Sequence, residues 1–109
     1  MSLAFRVGEA EVEGKVLHCG VIELENAVIA LFWEGKEPRL GSTTATVPGM
    51  ASSQLLGDRD QLLGRMLGTH ISAKTGKLSL VSTHISQGYS EAIGKTLIDL
   101  AKRVMEEKS

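Results

Sequence analysis

Cysteine is nearly missing from this sequence. Cys19 stands alone among 109 residues, so no intrachain disulfide can form. A single thiol fits a reducing compartment. Aromatic residues make up 4 % of the chain, too few flat rings to favour a role built on stacking against nucleic-acid bases. No sign of charge dominates, since 12 basic residues stand against 13 acidic ones. Such a balance does not attract nucleic acid or anionic lipid in bulk. No apolar run approaches the roughly 18 residues of a membrane span. The opening "MSLAFRVGEAE" lacks the layout of a secretory signal. Together these absences predict one soluble, cytoplasmic domain over residues 1–109, near the usual domain size.

What is present divides by period. The first half reads as strands. "AFRVGEAEV" alternates Phe5, Val7 and Val12 with charged residues, the pattern of a half-wet strand. "EGK" at 13–15 is a short turn, and "KVLHCGVIEL" follows. "LENA" reads as a tight hairpin because Asn26 tolerates positive φ. "AVIALFWEG" is a third strand; Pro38 and Gly41 then break the pattern. "STTATV" is a fourth strand, stopped by "PG" at 48–49.

From Leu62 the positions 62, 63, 66, 67, 70 and 71, apolar but for His70, adopt helical spacing, and Gly76 is a stop. "KLSLVSTHI" is a strand and "QGYS" a turn, with Ser90 placed to cap a closing helix. That helix carries Ile93, Leu97, Leu100, Ala101 and Val104 on one stripe. The expected fold is α+β: a single antiparallel sheet in the order β-β-β-β-α-β-α, with two helices on one face.

"VIALFW" is apolar on both faces of its strand. Ile29, Leu31 and Trp33 lie on one face, Val28, Ala30 and Phe32 on the other. A strand apolar on both faces is covered on both. Two helices of about four turns cover roughly one face of a small sheet. A second subunit is the simplest cover for the other, although residues 36–57 could also fold over it. The pattern leaves open which face is which. The dimer-interface candidates are therefore Val28, Ile29, Leu31, Phe32 and Trp33.

No catalytic, metal or cofactor constellation emerges. "GSTTAT" at 41–46 has a glycine followed by hydroxyls but lacks the Gly-Lys-Ser/Thr ending of a phosphate loop. His18, His70 and His84 fall on three separate elements without metal-ligand spacing. Cys19 sits mid-strand, where a small buried hydrophobe is the common case. Asp58 and Gln61 form an arrangement like a capping box, so the Asp58/Asp60 pair reads as a helix start.

The remaining unusual stretch is "SSQLLGD". Leu55 and Leu56 lie between a "PG" break and a helix start. They are expected either to staple under the helix or to face a partner. "SQLLGD" at 53–58 and "AKTGK" at 73–77, followed by a buried strand and an amphipathic helix, occur in an order and separation that carry a resemblance. "ALFWEG" at 30–35 adds to it. Over roughly residues 16–107 the chain resembles the proteasome assembly chaperone family, in the branch of its fourth member and more distantly its third.

That resemblance implies a small non-enzymatic chaperone without cofactor. It would act as a homodimer or as a heterodimer with a related chaperone, sheets facing each other and helices outside. It would bind proteasome α-type subunits while the α-ring of the 20S particle assembles. The client-binding candidates are Leu55, Leu56, Asp58 and Arg59. The rival reading is a profilin- or roadblock-like dimeric scaffold with another partner.

Overall fold

The computed structural model of the chain describes residues 5–57, 61–86 and 90–106. Six strands form one sheet: β1 (Phe5–Val12), β2 (Lys15–Glu23), β3 (Ala27–Glu34), β4 (Ser42–Thr46), β5 (Ser52–Leu56) and β6 (Leu78–His84). Their spatial order is β1-β2-β3-β6-β4-β5. Two points depart from the sequence expectation. Ser52–Leu56 is a fifth strand before the first helix, and the sheet is mixed because β3 and β6 run parallel. The chain leaves β3, builds β4, β5 and a helix, and returns beside β3 in the same direction.

Three tight turns set the strand registers. Glu13 (φ 53°) and Gly14 (φ 77°) both take positive φ, as a two-residue hairpin between right-twisted strands requires. Between β2 and β3, Leu24 N donates to Ala27 O at 2.7 Å. Asn26 does not take positive φ there, contrary to expectation; Glu13 is the non-glycine that does so among the described residues. Between β4 and β5, Met50 N donates to Val47 O at 2.9 Å around Pro48 and Gly49 (φ 75°). Proline before a positive-φ glycine suits a type II turn.

Both helices lie on one face of the sheet. Helix α1 (Gln61–Thr75) packs over β4 and β6, and α2 (Glu91–Glu106) packs over β1 and β2. Ser90 caps α2: its Oγ accepts the Ile93 N–H at 3.1 Å. Gly76 (φ 71°) ends α1, its N–H donating to Ser72 O at 2.8 Å. The Asp58 side of the expected capping arrangement lies outside the described residues. No helix among the described residues is long and apolar enough to cross a membrane.

The core lies between this face and the helices. Leu17, Cys19 and Val21 of β2, Val28, Ala30 and Phe32 of β3, and Val81 of β6 meet Leu63, Leu67 and Ile71 of α1. Ile93, Leu97, Leu100, Ala101 and Val104 of α2 complete it. Each such leucine contributes about 1.5–3 kcal/mol by leaving water. Where α1 crosses β4 the contact is closer and more polar. A Cβ on Gly64 would come within 2.5 Å of Thr44 Oγ1, and one on Gly68 would overlap Thr46 Oγ1. The glycines cost helix propensity and let the backbones approach. Ser72 Oγ closes the seam, donating to Thr46 O at 3.1 Å and lying 3.0 Å from Ser79 Oγ.

Candidate functional site

Strand alternation sends every second side chain to the face opposite the helices. The pairing registers arrange these side chains in rows. The first row runs across all six strands: Phe5, Ile22, Ile29, Leu80, Ala45, Ser53. The second runs Val7, Gly20, Leu31, Ser82, Thr43, Leu56. The third is polar and aromatic, Glu9, His18, Trp33, His84, and a fourth pairs Glu11 with Val16. Phe5 and Val7 are 47 % and 48 % exposed, while Ile22, Ile29, Leu31 and Leu80 are half-buried by their neighbours. No helix among the described residues covers these rows.

Local chemistry keeps the face flat and firm. Gly20 carries no side chain, and the Phe5 ring occupies the space above it; a Cβ on Gly20 would overlap that ring. His18 and Trp33 stack with ring centroids 5.4 Å apart and planes 9° from parallel. Glu9 Oε1 lies 3.8 Å from His18 Nδ1. Trp33 is 3 % exposed although it belongs to the side opposite the helices.

Both edges of the sheet oppose strand addition. On β1 the Arg103 guanidinium donates to Glu9 O at 2.6 Å. On β5 the register slips between Thr43 and Thr44, making Leu55 the extra residue of a bulge. Gln54 Nε2 donates to Leu56 O at 2.8 Å and Gly57 O at 2.9 Å across that bulge. Capped carbonyls and bulges are the usual means of discouraging edge pairing. The broad face opposite the helices carries no such device among the described residues.

The candidate residues divide cleanly. Ile29, Leu31 and Trp33 stand on the uncovered face. Val28 and Phe32 point the other way and are fully buried beneath the helices. Leu55 and Leu56 are 56 % and 52 % exposed, so neither forms the expected staple under α1. The bulged edge holds them in a strand and away from the core. Asp58 and Arg59 lie outside the described residues. Sequence reasoning missed Phe5, Val7, Ile22 and Leu80 as members of the same surface. The alternation of β1 and β2 was the signal for the first three; Leu80 needed the parallel pairing with β3.

Cys19 lies on the helix side, and burial pushes its thiol up to about 12. A thiol so far from ionisation is no nucleophile at neutral pH. The hydroxyls of "GSTTAT" serve packing: Thr44 Oγ1 bonds Gln54 Oε1 at 3.3 Å and Thr46 Oγ1 lies 2.7 Å from Ser52 Oγ.

No protein-family model matches the chain, and no curated protein matches it in sequence. Its fold is similar to a solved chain in the crystal structure of a chaperone complex for yeast 20S proteasome assembly. The TM-score is 0.70 at 16 % identity, over 96 % of this chain and 99 % of that one. At that identity the likeness is one of fold, and it extends over nearly the whole of both chains.

Proposed function

We propose that this chain is a non-enzymatic assembly chaperone for the 20S proteasome, acting in the cytoplasm as one half of a dimer and needing no cofactor. The observation that carries the reading is the fold likeness, over almost the full chain, to a member of a proteasome assembly chaperone complex. The uncovered apolar sheet face supports it, because a surface rich in Phe5, Val7, Ile29 and Leu31 is stabilised by a second sheet. The mechanism is steric and associative. Two sheets face each other, and the dimer holds α-type subunits in an arrangement that lets the ring close, then leaves.

Ile29, Leu31 and Trp33 are the proposed dimer contacts. The exposed Leu55 and Leu56, with Asp58 and Arg59 next in sequence, are the proposed client contacts. The test is a pull-down with the tagged chain from extract of its own cells. Proteasome α-type subunits are the expected catch, and Leu55→Glu should reduce it. Recovery of only unrelated proteins from an extract that contains free α-type subunits would refute the assignment.

A further inference from the structure

We propose that Met50 is a site of reversible oxidation by hydroperoxides, placed so that its sulfoxide forms on the folded protein and is removed again without disturbing the core.

The first question is which groups of this chain can meet an oxidant. The usual sensor is an accessible thiolate. Cys19, the single thiol, is 0 % exposed in β2 and kept protonated by its burial. A peroxide finds no thiolate there, and oxidation falls to the thioethers. Among the described residues the methionines are Met50, Met66 and Met105. Met105 packs against the core, and Met66 is half-buried on α1. Met50 is 69 % exposed, the most open large apolar side chain among the described residues.

The backbone holds Met50 in that exposed place. Its N–H closes the β4–β5 turn, donating to Val47 O at 2.9 Å across Pro48 and Gly49. Proline fixes φ at one central residue, and the glycine supplies positive φ at the other, so the turn is stiff. The neck below is tied as well. Thr46 Oγ1 lies 2.7 Å from Ser52 Oγ, and Ser72 Oγ of α1 donates to Thr46 O at 3.1 Å. The thioether therefore stands in water at the end of a braced hairpin. Val47, Pro48, Gly49, Met50 and Ala51 are all uncharged and apolar, whereas turns usually carry polar residues. A sulfoxide on Met50 makes this apolar tip polar.

The chemistry balances with a hydroperoxide as co-reactant. A lone pair on Met50 Sδ attacks the outer oxygen of the O–O bond. The S–O bond forms as the O–O bond breaks. The proton on the attacked oxygen passes to the leaving oxygen, which departs as water or, from an organic hydroperoxide, as an alcohol. Sulfur loses two electrons and the peroxide gains them. The return step takes two thiols, which become a disulfide while the oxygen leaves as water. A small peroxide can reach a half-buried sulfur, but a reductase must take the whole side chain into its own active site. Met50 meets that demand from the folded state. A sulfoxide at Met105 would instead set a polar group against the core and destabilise it.

The test treats the purified full chain with hydrogen peroxide at neutral pH and follows it by peptide mapping in the mass spectrometer. One oxygen, about 16 Da, should enter the peptide that holds Met50 first. Met66 and Met105 should lag by about tenfold in the folded protein and match Met50 in urea, where burial no longer protects them. The protein oxidised at Met50 alone should keep the parent's urea midpoint. The two stereospecific methionine sulfoxide reductases, supplied with a dithiol, should together return it to the parent mass. Met50→Leu should lose the early addition and keep the fold. Oxidation of Met66, Met105 or Cys19 ahead of Met50 would overturn the assignment. So would a lowered urea midpoint after oxidation at Met50 alone, or a sulfoxide there that the reductases leave in place.

Discussion

Leu31 and Phe32 are adjacent in sequence and opposite in consequence. Phe32 is fully buried among the helices, whereas Leu31 is half-buried on the uncovered face. Leu31→Glu should therefore leave the fold and remove the proposed dimer. Full burial of a leucine contributes about 1.5–3 kcal/mol, so the part of Leu31 still open to water accounts for about 1 kcal/mol per protomer. A carboxylate in its place must lose water as well, and a modest allowance for that is about 2 kcal/mol. A self-paired dimer suffers the change twice, about 6 kcal/mol, which weakens association by about four orders of magnitude. A dimer with a different chain suffers it once and weakens by about a hundredfold. Phe32→Ala should instead cost about 3–5 kcal/mol of folding stability, a large share of the 5–15 typical of a domain. Sedimentation velocity reads the mass and urea unfolding reads the stability of each variant. If Leu31→Glu unfolds as readily as Phe32→Ala, or sediments as the parent does, the assignment of faces is wrong.

Three further outcomes follow from the same geometry. Gly68→Ala should raise helix propensity by about 1 kcal/mol, yet destabilise the protein by about 1–3 kcal/mol, because the added methyl overlaps Thr46 Oγ1; a raised midpoint in urea would contradict the close seam. Ser90→Ala removes the acceptor for Ile93 N–H and should cost about 1 kcal/mol, read by thermal unfolding, with Ser90→Asp restoring most of it. An unchanged midpoint in the alanine variant would deny the cap. Burial, followed by Lys102 and Lys74, holds His70 below its ordinary value, so the unfolded chain binds that proton more readily than the folded one. The stability concerned is present above the ordinary histidine range and is lost as pH falls from it through the lowered value. His70→Asn should flatten that part of the stability–pH curve, and a slope equal to the parent's would refute it.

The elements that periodicity governs were legible from residues alone. Apolar spacing from Leu62 marked α1, and the stripe from Ile93 to Val104 marked α2, because each helix buries one face against a sheet. The hairpin of β1 and β2 was equally clear from "EGK". Strand β5 was not, since "SSQLL" neither alternates nor carries β-branched residues. Its strand form comes from pairing with β4 across the Pro48–Gly49 turn. The parallel β3–β6 pair was hidden for a related reason: nothing local in "KLSLVSTH" records which strand it joins. The uncovered face was legible as a need but not as a choice. Ile29, Leu31 and Trp33 are as apolar as Val28, Ala30 and Phe32. Only the helices' positions over Cys19, Phe32 and Val81 settle which set is inside. For Leu55 and Leu56 the residues left a staple and an exposed position both open, and the bulged edge that holds them in water was not legible locally.

The docking of α2 on β1 and β2 has a consequence for how the chain comes off the ribosome. Arg6 on β1 donates to Met105 O on α2, a contact between residues 99 positions apart. Synthesis proceeds from the N-terminus at about 5–20 residues per second. The β1–β2–β3 meander can therefore pair its backbone seconds before the helix that shelters Leu17, Cys19 and Val21 exists. During that interval the meander shows water an apolar surface on both sides, one that α2 later covers and one that stays uncovered among the described residues. A second nascent copy on the same message presents the same surface at the same moment. The order of residues along this chain thus makes timing part of partner choice: whichever sheet reaches the meander before α2 does can claim the wrong side of it.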